Sequence, residues 1–415
     1  MEERSKKEHR EMTRIGEPIK RLDQYRNSAW KCVKCRLCGM VNPEVMTSET
    51  YVENCPRGDR YRYDAYYGAG TWELVRMLTA EPPEIEIDDE RLQHIVFNCI
   101  LCGNCQSICA VMKEMEPMNA VIALREHLVE NGVGPLAEHS PLVKSIENYN
   151  NPWMSPRGSR DKWAKKLKLK DISKEKAEVL MFVGCTGSYD PAFRSTATST
   201  ATVLKKLGID FGILGKKEQC CSGIVFRIGE RQGFEVLKKK TTDSINELEC
   251  KTVVTACAGC YSTFHTEYSD DLNAEVLHSV EFLDRLIQDG QLKFTKEVKK
   301  KVTYHDPCHV GRYVGIYEAP RNILKAIPGL ELIEMERIRG HSRCCGAGAG
   351  VKSGNPEFAM WCAKERLEEA RDVTGTDMLV SCCPFCEQNL RDASKGFDFG
   401  IEVVDLMDLV AMALE

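Results

Sequence analysis

The sequence has no run of about 18 apolar residues, so no segment is expected to cross a membrane as a helix. Its most apolar stretches, residues 179–184 and 403–414, are short or broken by Asp405 and Asp408. Residues 1–31 are dense in charge and lack an apolar centre, which does not suit a secretory leader. Neither sign of charge is in large excess: 57 Lys and Arg stand against 62 Asp and Glu, a formal net charge of −5. That balance argues against nucleic acid or an anionic membrane surface as the main partner. A glycine-rich nucleotide fingerprint is also missing. Gly346, Gly348 and Gly350 alternate with other residues but lack the required spacing, and no flavin or nicotinamide site is expected.

What the chain does have is 21 cysteines in 415 residues. The length suits two or three domains, and the chain is long enough to build cores without disulfides. Without a secretory signature, a disulfide framework is not the expected use of these cysteines. Metal or redox chemistry is the better reading, and the spacings decide it.

Two groups lie in the first 110 residues. The first is Cys32-x2-Cys35-x2-Cys38, with Cys55 and Pro56 further on. The second is Cys99-x2-Cys102-x2-Cys105-x3-Cys109. Three cysteines at two-residue gaps wrap one corner of an iron–sulfur cube, and in two-cluster ferredoxins the fourth ligand comes from the other motif. Cys32, Cys35, Cys38 and Cys109 are therefore assigned to one cubane 4Fe–4S cluster, and Cys99, Cys102, Cys105 and Cys55 to a second. The long gap from Cys38 to Cys55, and Ala110 in place of proline after Cys109, depart from the usual ferredoxin pattern. Structural zinc takes four ligands as two pairs, which a repeated triplet does not supply. Apolar residues at Val121, Ile122, Leu124 and Leu128 recur with helical period, so this region, residues 1–150, is expected to be an α-helical ferredoxin-like domain. A segment rich in Asn, Pro, Ser and Gly, then one rich in lysine, makes residues 151–178 a linker. Its lysines suit a solvated surface.

The rest of the chain repeats itself. Cys185, Cys220-Cys221 and Cys257-x2-Cys260 recur as Cys308, Cys344-Cys345 and Cys383-x2-Cys386, at offsets of 123, 124 and 126 residues. This is one module duplicated, over residues 179–295 and 296–415. Apolar runs before Cys185, Cys257, Cys308 and Cys383 suit buried strands. Asn355 followed by Pro356 suits the cap and first residue of a helix. Alternating strands and helices predict a parallel sheet in each α/β module, with the cysteines gathered at the C-terminal strand edge where such folds bind ligands. The whole is expected to be an α+β multidomain chain. Each module offers five convergent cysteines, one more than a cubane requires. Glycines after the cysteine pairs, Gly223 in one copy and Gly346, Gly348 and Gly350 in the other, suit backbone passing close to a bulky inorganic core.

The copies read VGCTGSY, EQCCSG and ACAGC, then HDPCHVGRY, SRCCGAGAG and CPFC. This pattern resembles the cysteine-rich CCG module of heterodisulfide reductases. With the two-cluster region in front, the layout resembles the D-subunit family of those enzymes from about residue 30 to the end. Ser222 stands where that family usually has glycine.

The resemblance implies a noncubane 4Fe–4S cluster on Cys185, Cys220, Cys221, Cys257 and Cys260, and another on Cys308, Cys344, Cys345, Cys383 and Cys386. It also implies an oxidoreductase that passes electrons through the cubanes to the noncubane pair and reduces a small disulfide, such as the coenzyme M–coenzyme B heterodisulfide. The alternative is an electron-transfer subunit, since iron–sulfur subunits of glycolate, lactate and glycerol-3-phosphate oxidases, and of benzoyl-CoA or sulfite reductase systems, share the layout. Either reading needs a donor or acceptor partner: a flavoprotein, a b-type cytochrome or a larger reductase complex. The expected location is cytoplasmic, or peripheral at a membrane through that partner. His305 and His309, beside Cys308, are candidate proton donors or hydrogen-bond partners of the cluster. Cys250, Cys362 and Cys382 are left without a ligand role.

Overall fold

The computed structural model describes residues 20–42, 48–81, 87–109 and 115–414. Most of the charged start of the chain, and Ala110, lie outside the described residues.

The first part is helical: α1 (Arg26–Trp30), α2 (Pro56–Tyr61), α3 (Gly68–Thr79), α4 (Asp89–Phe97), α5 (Asn104–Ile108), α6 (Pro117–Glu130) and α7 (Ser140–Tyr149). Helix α4 starts where the Asp88 carboxylate accepts from the Arg91 N–H at 2.8 Å, and Asp89 and Glu90 complement the helix dipole. It buries Leu92, Ile95 and Val96, an i, i+3, i+4 stripe, together with Phe97 at its last position. Helix α6 opens with Pro117 at its first position and buries Val121, Ile122, Leu124 and Leu128, the residues whose period predicts it. These faces share one core with Trp72 and Val75 of α3, and with Phe226 and Phe234 further along the chain.

Two parallel sheets follow. The first holds β1 (Lys170–Asp171), β2 (Val179–Met181), β3 (Phe211–Ile213), β4 (Thr252–Thr255) and β5 (Glu275–His278), in the order β1-β3-β2-β4-β5. The second holds β6 (Lys300–Tyr304), β7 (Leu330–Leu332), β8 (Met378–Ser381) and β9 (Glu402–Asp405), in the order β7-β6-β8-β9. Without β1 the two orders are the same, so the duplicated sequence is a duplicated topology. Central strands β2 and β8 are buried along their whole length, as parallel strands covered on both faces must be.

The first module's helices are α8 (Gly184–Tyr189), α9 (Arg194–Lys206), α10 (Gly223–Arg227), α11 (Arg231–Asn246), α12 (Ala258–Glu267) and α13 (Ser279–Gln288). The second has α14 (Glu318–Ala326), α15 (Val351–Gly354), α16 (Pro356–Glu369), α17 (Pro384–Gly396) and α18 (Leu406–Leu414). The Asn355 side chain accepts from the Phe358 N–H at 3.1 Å, with Pro356 at the first position of α16. Helix α9 packs on α18, and its counterpart α14 packs on α13, the counterpart of α18. The modules thus meet through reciprocal helix pairs, as in a two-fold dimer. The Ser199 hydroxyl donates to Asp408 at 2.6 Å across one pair, and Asn322 donates to Asp284 at 3.2 Å across the other.

Residues 151–178, expected as a linker, pack along the first module. Lys170 and Asp171 add β1 to the sheet, and Trp163, Leu167 and Leu169 pack on the cluster of Val179, Met181 and Val254. Lys162, Lys165, Lys166, Lys168, Lys174 and Lys176 face solvent.

Candidate metal centres

The strand ends and the loops after them carry the cysteines of the repeat. Cys185 sits in the first turn of α8, just after β2. Cys257 and Cys383 are the N-cap residues of α12 and α17, and Cys260 and Cys386 lie in the first turns of those helices. Helix N-termini offer free N–H groups and positive dipole ends, which suit thiolates and anionic clusters. Cys308 follows β6, and the pairs Cys220-Cys221 and Cys344-Cys345 come in on the loops before α10 and α15.

All ten cysteines line a single cavity of about 430 Å³ between the two modules. Within each module the five thiols form one hydrogen-bonded string. In the first, the order is Cys185, Cys220, Cys221, Cys260, Cys257. In the second it is Cys308, Cys344, Cys345, Cys386, Cys383. Hydrogen bonds from neighbouring thiols hold Cys221 and Cys344 well below the ordinary thiol range, and the same contacts push Cys220 and Cys386 well above it. Five sulfurs this close, with no disulfide among any of the cysteines, form a soft donor set.

Charged and polar groups brace each set. Buried Arg160 donates to Cys185 Sγ at 3.6 and 3.7 Å and pairs with buried Glu218 at 2.5 Å. Glu218 also accepts from the N–H groups of Val183 and Gly184 at 2.9 and 3.0 Å, which fixes the turn carrying Cys185. In the second module, Asp306 makes a two-point pair with Arg321 at 2.6 and 2.9 Å. Burial pushes the Asp306 carboxyl up, but the Arg321 charge outweighs it and holds the group below the usual range. Asp306 is thus committed to an ion pair. His309 lines the cavity, stacks on Tyr313 with centroids 4.3 Å apart, and pairs through Nδ1 with the Ser262 hydroxyl at 2.6 Å. Arg227, also at the cavity wall, donates to Ser262 at 3.1 Å. His305 is buried, and one of its ring nitrogens lies within 4.8 Å of Cys345 and Cys386 Sγ.

The eight earlier cysteines gather in the helical part. Their two loops share a backbone pattern. Lys34 and Arg36 have φ of 54° and 62°, and the equivalent Leu101 and Gly103 have φ of 48° and 76°. A non-glycine residue in this left-handed region carries a conformational cost, and three of the four positions bear one. Alternating left-handed residues turn backbone N–H groups toward a common centre, a concavity suited to an anionic group. Cys32, Cys35, Cys38 and Cys109 surround a void of about 30 Å³, which also touches Cys105. Cys55, Cys99, Cys102 and Cys105 form an adjacent set in mutual electrostatic contact. Burial pushes the Cys38 and Cys102 thiols up to about 12. Gly68 lies between the sets: a Cβ there would stand 3.0 Å from Cys105 Cβ and 3.2 Å from Cys38 Sγ.

This second set abuts the second module. Arg312 donates to the Cys102 carbonyl at 3.0 Å and to the Gly340 carbonyl at 2.8 Å, and it lies within the field of Cys102, Cys308 and Cys344. Of the glycines after Cys345, Gly348 serves the same contact. A Cβ at Gly348 would stand 2.9 Å from the Ile100 carbonyl oxygen, and one at Gly346 would collide with Cys362. Gly348 and Gly350 also line the ten-cysteine cavity. Ser222, where glycine is usual, has φ of 56°, and its hydroxyl bonds the Cys221 carbonyl at 2.8 Å and Tyr268 at 3.2 Å. The three remaining cysteines are buried: Cys362 against Gly346, Cys382 at 3.1 Å from the Tyr304 hydroxyl, and Cys250 in the core. Sequence reasoning missed Arg160 and Arg312. The first lies in the expected linker and the second inside the HDPCHVGRY motif, and no spacing marks either.

A cysteine-rich domain repeated around a shared ten-cysteine cavity, beside eight more cysteines, defines an iron–sulfur oxidoreductase. The Cysteine-rich domain family (CCG) matches residues 179–265 and 302–391. The chain is 35% identical over 392 residues to the D-subunit of the dihydromethanophenazine:CoB–CoM heterodisulfide reductase of Methanosarcina mazei, covering 92% of this chain and 93% of that protein. It is 33% identical to the probable iron–sulfur-binding oxidoreductase FadF of Bacillus subtilis, over 84% of this chain and 50% of that one. It is 28% identical to the EtfAB:quinone oxidoreductase of Syntrophomonas wolfei, over 77% of this chain and 46% of that one. The chain belongs to the heterodisulfide reductase D-subunit family. Among the described residues, no helix is long and apolar enough to cross a membrane.

Proposed function

We propose that the chain reduces a small disulfide in the cavity between its two modules, using electrons received from a partner protein. The observation that carries this reading is the convergence of both complete five-cysteine sets on one cavity. Residues 1–150 would hold two cubane 4Fe–4S clusters, on Cys32, Cys35, Cys38 and Cys109 and on Cys55, Cys99, Cys102 and Cys105. Residues 179–295 and 296–415 would each hold a noncubane 4Fe–4S cluster on their five cysteines. When bound, such clusters supply single electrons and iron sites with affinity for sulfur.

The chain's own residues supply the rest. One disulfide takes two electrons and two protons to become two thiols. The cavity is wide enough for a small molecule, and its facing sulfur sets present a separate site to each half of the disulfide. Arg227 on the wall, with its Nε unpaired among the described residues, favours a substrate bearing an anionic group. His309 stands at the cavity with Nδ1 paired to Ser262, which fixes its ring and leaves Nε2 as the nitrogen that hydrogen-bonds a product sulfur. The coenzyme M–coenzyme B heterodisulfide, or an analogue, is the first substrate to test. Cys35, exposed in the first cysteine loop, marks the side where an electron-donating partner would dock.

The second reading is an electron-transfer subunit of a larger complex. It is favoured by relatives, such as the Bacillus subtilis and Syntrophomonas wolfei proteins, in which this chain matches about half the length. The test is an anaerobic assay with a reduced viologen as donor and the mixed disulfide as acceptor. Disulfide-dependent viologen oxidation that disappears in Cys257→Ser and Cys383→Ser supports disulfide reduction. Iron-replete protein that oxidises viologen with other acceptors, yet turns over no disulfide, favours the second reading.

A further inference from the structure

The two modules differ in kind at one position beside their sulfur strings. The residue just after β2 is Phe182, whose ring meets Phe264 edge-on at 4.8 Å. The residue just after β6 is His305, 1% exposed. Its Nδ1 accepts from the Arg366 Nε–H at 3.3 Å. Arg366 is anchored in turn by Glu369 at 2.7 Å, and Glu369 also holds Arg337 at 2.9 Å. A guanidinium only donates, so Nδ1 must be the bare nitrogen of the ring. The proton of the neutral imidazole therefore sits on Nε2. Burial and the Arg366 charge keep the second proton off. Nε2 is buried without a hydrogen-bond partner within the protein. A buried donor left unpaired is costly, and a ring nitrogen of His305 lies within 4.8 Å of Cys345 and Cys386 Sγ.

We infer that the His305 Nε2–H donates a hydrogen bond to the sulfur of the group held by the second module, raising the reduction potential of that centre alone. The inference rests on the reading that each five-cysteine set holds an iron–sulfur cluster. Hydrogen bonds to cluster sulfur favour the reduced state, because they offset its added negative charge. Iron ligation by His305 would need a bare Nε2, and the Arg366 donor at Nδ1 opposes that tautomer. Phe182 has no donor, so the first module has no equivalent bond at this position.

The test uses the full chain, purified without oxygen, with His305→Phe and His305→Gln as variants. Redox titration followed by electron paramagnetic resonance reads each centre's midpoint potential, and double-resonance spectroscopy in deuterated water reads exchangeable protons near it. In His305→Phe, one five-cysteine centre should become harder to reduce and lose an exchangeable-proton coupling, with iron content unchanged. In His305→Gln, which keeps an N–H donor, much of the shift should be recovered. Unchanged potentials and couplings in His305→Phe would overturn the inference. So would loss of that centre's iron in both variants, which would make His305 a ligand. Parent protein with no iron in either five-cysteine site would overturn the underlying reading before any variant is compared.

Discussion

Replacing Arg125 with alanine removes the side chain that ties all three parts of the chain together. Arg125 projects from α6 and is fully buried, with no carboxylate partner among the described residues. Its guanidinium donates to the carbonyls of Val96 and Phe97, each at 3.1 Å, and to that of Cys99 at 2.5 Å, at the start of the second cysteine loop. It also donates to the backbone carbonyls of Arg227 in the first module at 2.6 Å and of Ala349 in the second at 2.8 Å. Alanine leaves those carbonyls without this donor. Each stranded buried acceptor costs about 1–3 kcal/mol, while relief from burying a cation returns part of that. The expected net loss is about 3–5 kcal/mol. Arg125→Lys keeps the charge but has three donors for five acceptors, and its expected loss is about half as large. Anaerobic chemical denaturation gives the size of the loss. Hydrogen exchange gives its location: residues 96–101 and 346–350 should gain exchange together. An alanine variant within about 1 kcal/mol of the parent would refute the idea that this one cation fastens the parts together.

Gly348→Ala sets a methyl group 2.9 Å from the Ile100 carbonyl oxygen, and since neither backbone can yield cheaply the expected loss is about 1–3 kcal/mol in a denaturation midpoint. Arg160→Met strands buried Glu218 and removes the donors to Cys185, so stability should fall by about 3–5 kcal/mol, and one five-cysteine centre should become harder to reduce in an electrochemical titration. Burial pushes Glu126 up to about 7 from 4.5, despite Arg231 at 3.4 Å. The folded state then binds this proton more tightly than the unfolded state, so its contribution is complete below pH 4.5 and is lost as pH rises through 7. Glu126→Gln should flatten the fall in stability between about pH 4.5 and 7 and be worth about 1–3 kcal/mol above that window; an unchanged pH profile would contradict this.

Much of the architecture was legible because it is written in local pattern. The strands at 252–255 and 378–381, the helix from Pro117 and the Asn355–Pro356 start all follow from apolar period and capping chemistry. The duplication was legible from cysteine spacing alone. What the spacing did not carry is contact between distant parts. Arg160 and Arg312 reach their cysteines across the fold, and Arg125 sits on a helix whose period reports only its apolar face. Gly348 looked like room for a cluster and does line the cavity, but no spacing told that it also abuts a carbonyl about 250 residues earlier in the chain. The lysine-rich stretch suggested a solvated connector because its charges are exposed, yet its backbone supplies an edge strand through hydrogen bonds that side chains do not encode.

The central claim is that one disulfide meets both five-cysteine centres in the shared cavity. The most direct measurement is electron paramagnetic resonance of the reduced chain frozen during turnover with a disulfide enriched in sulfur-33. The account expects a signal that appears only with disulfide, is broadened by the labelled sulfur, and is absent in both Cys257→Ser and Cys383→Ser. A fully iron-loaded chain that gives no disulfide-dependent signal, or one unaffected by the label, would contradict it.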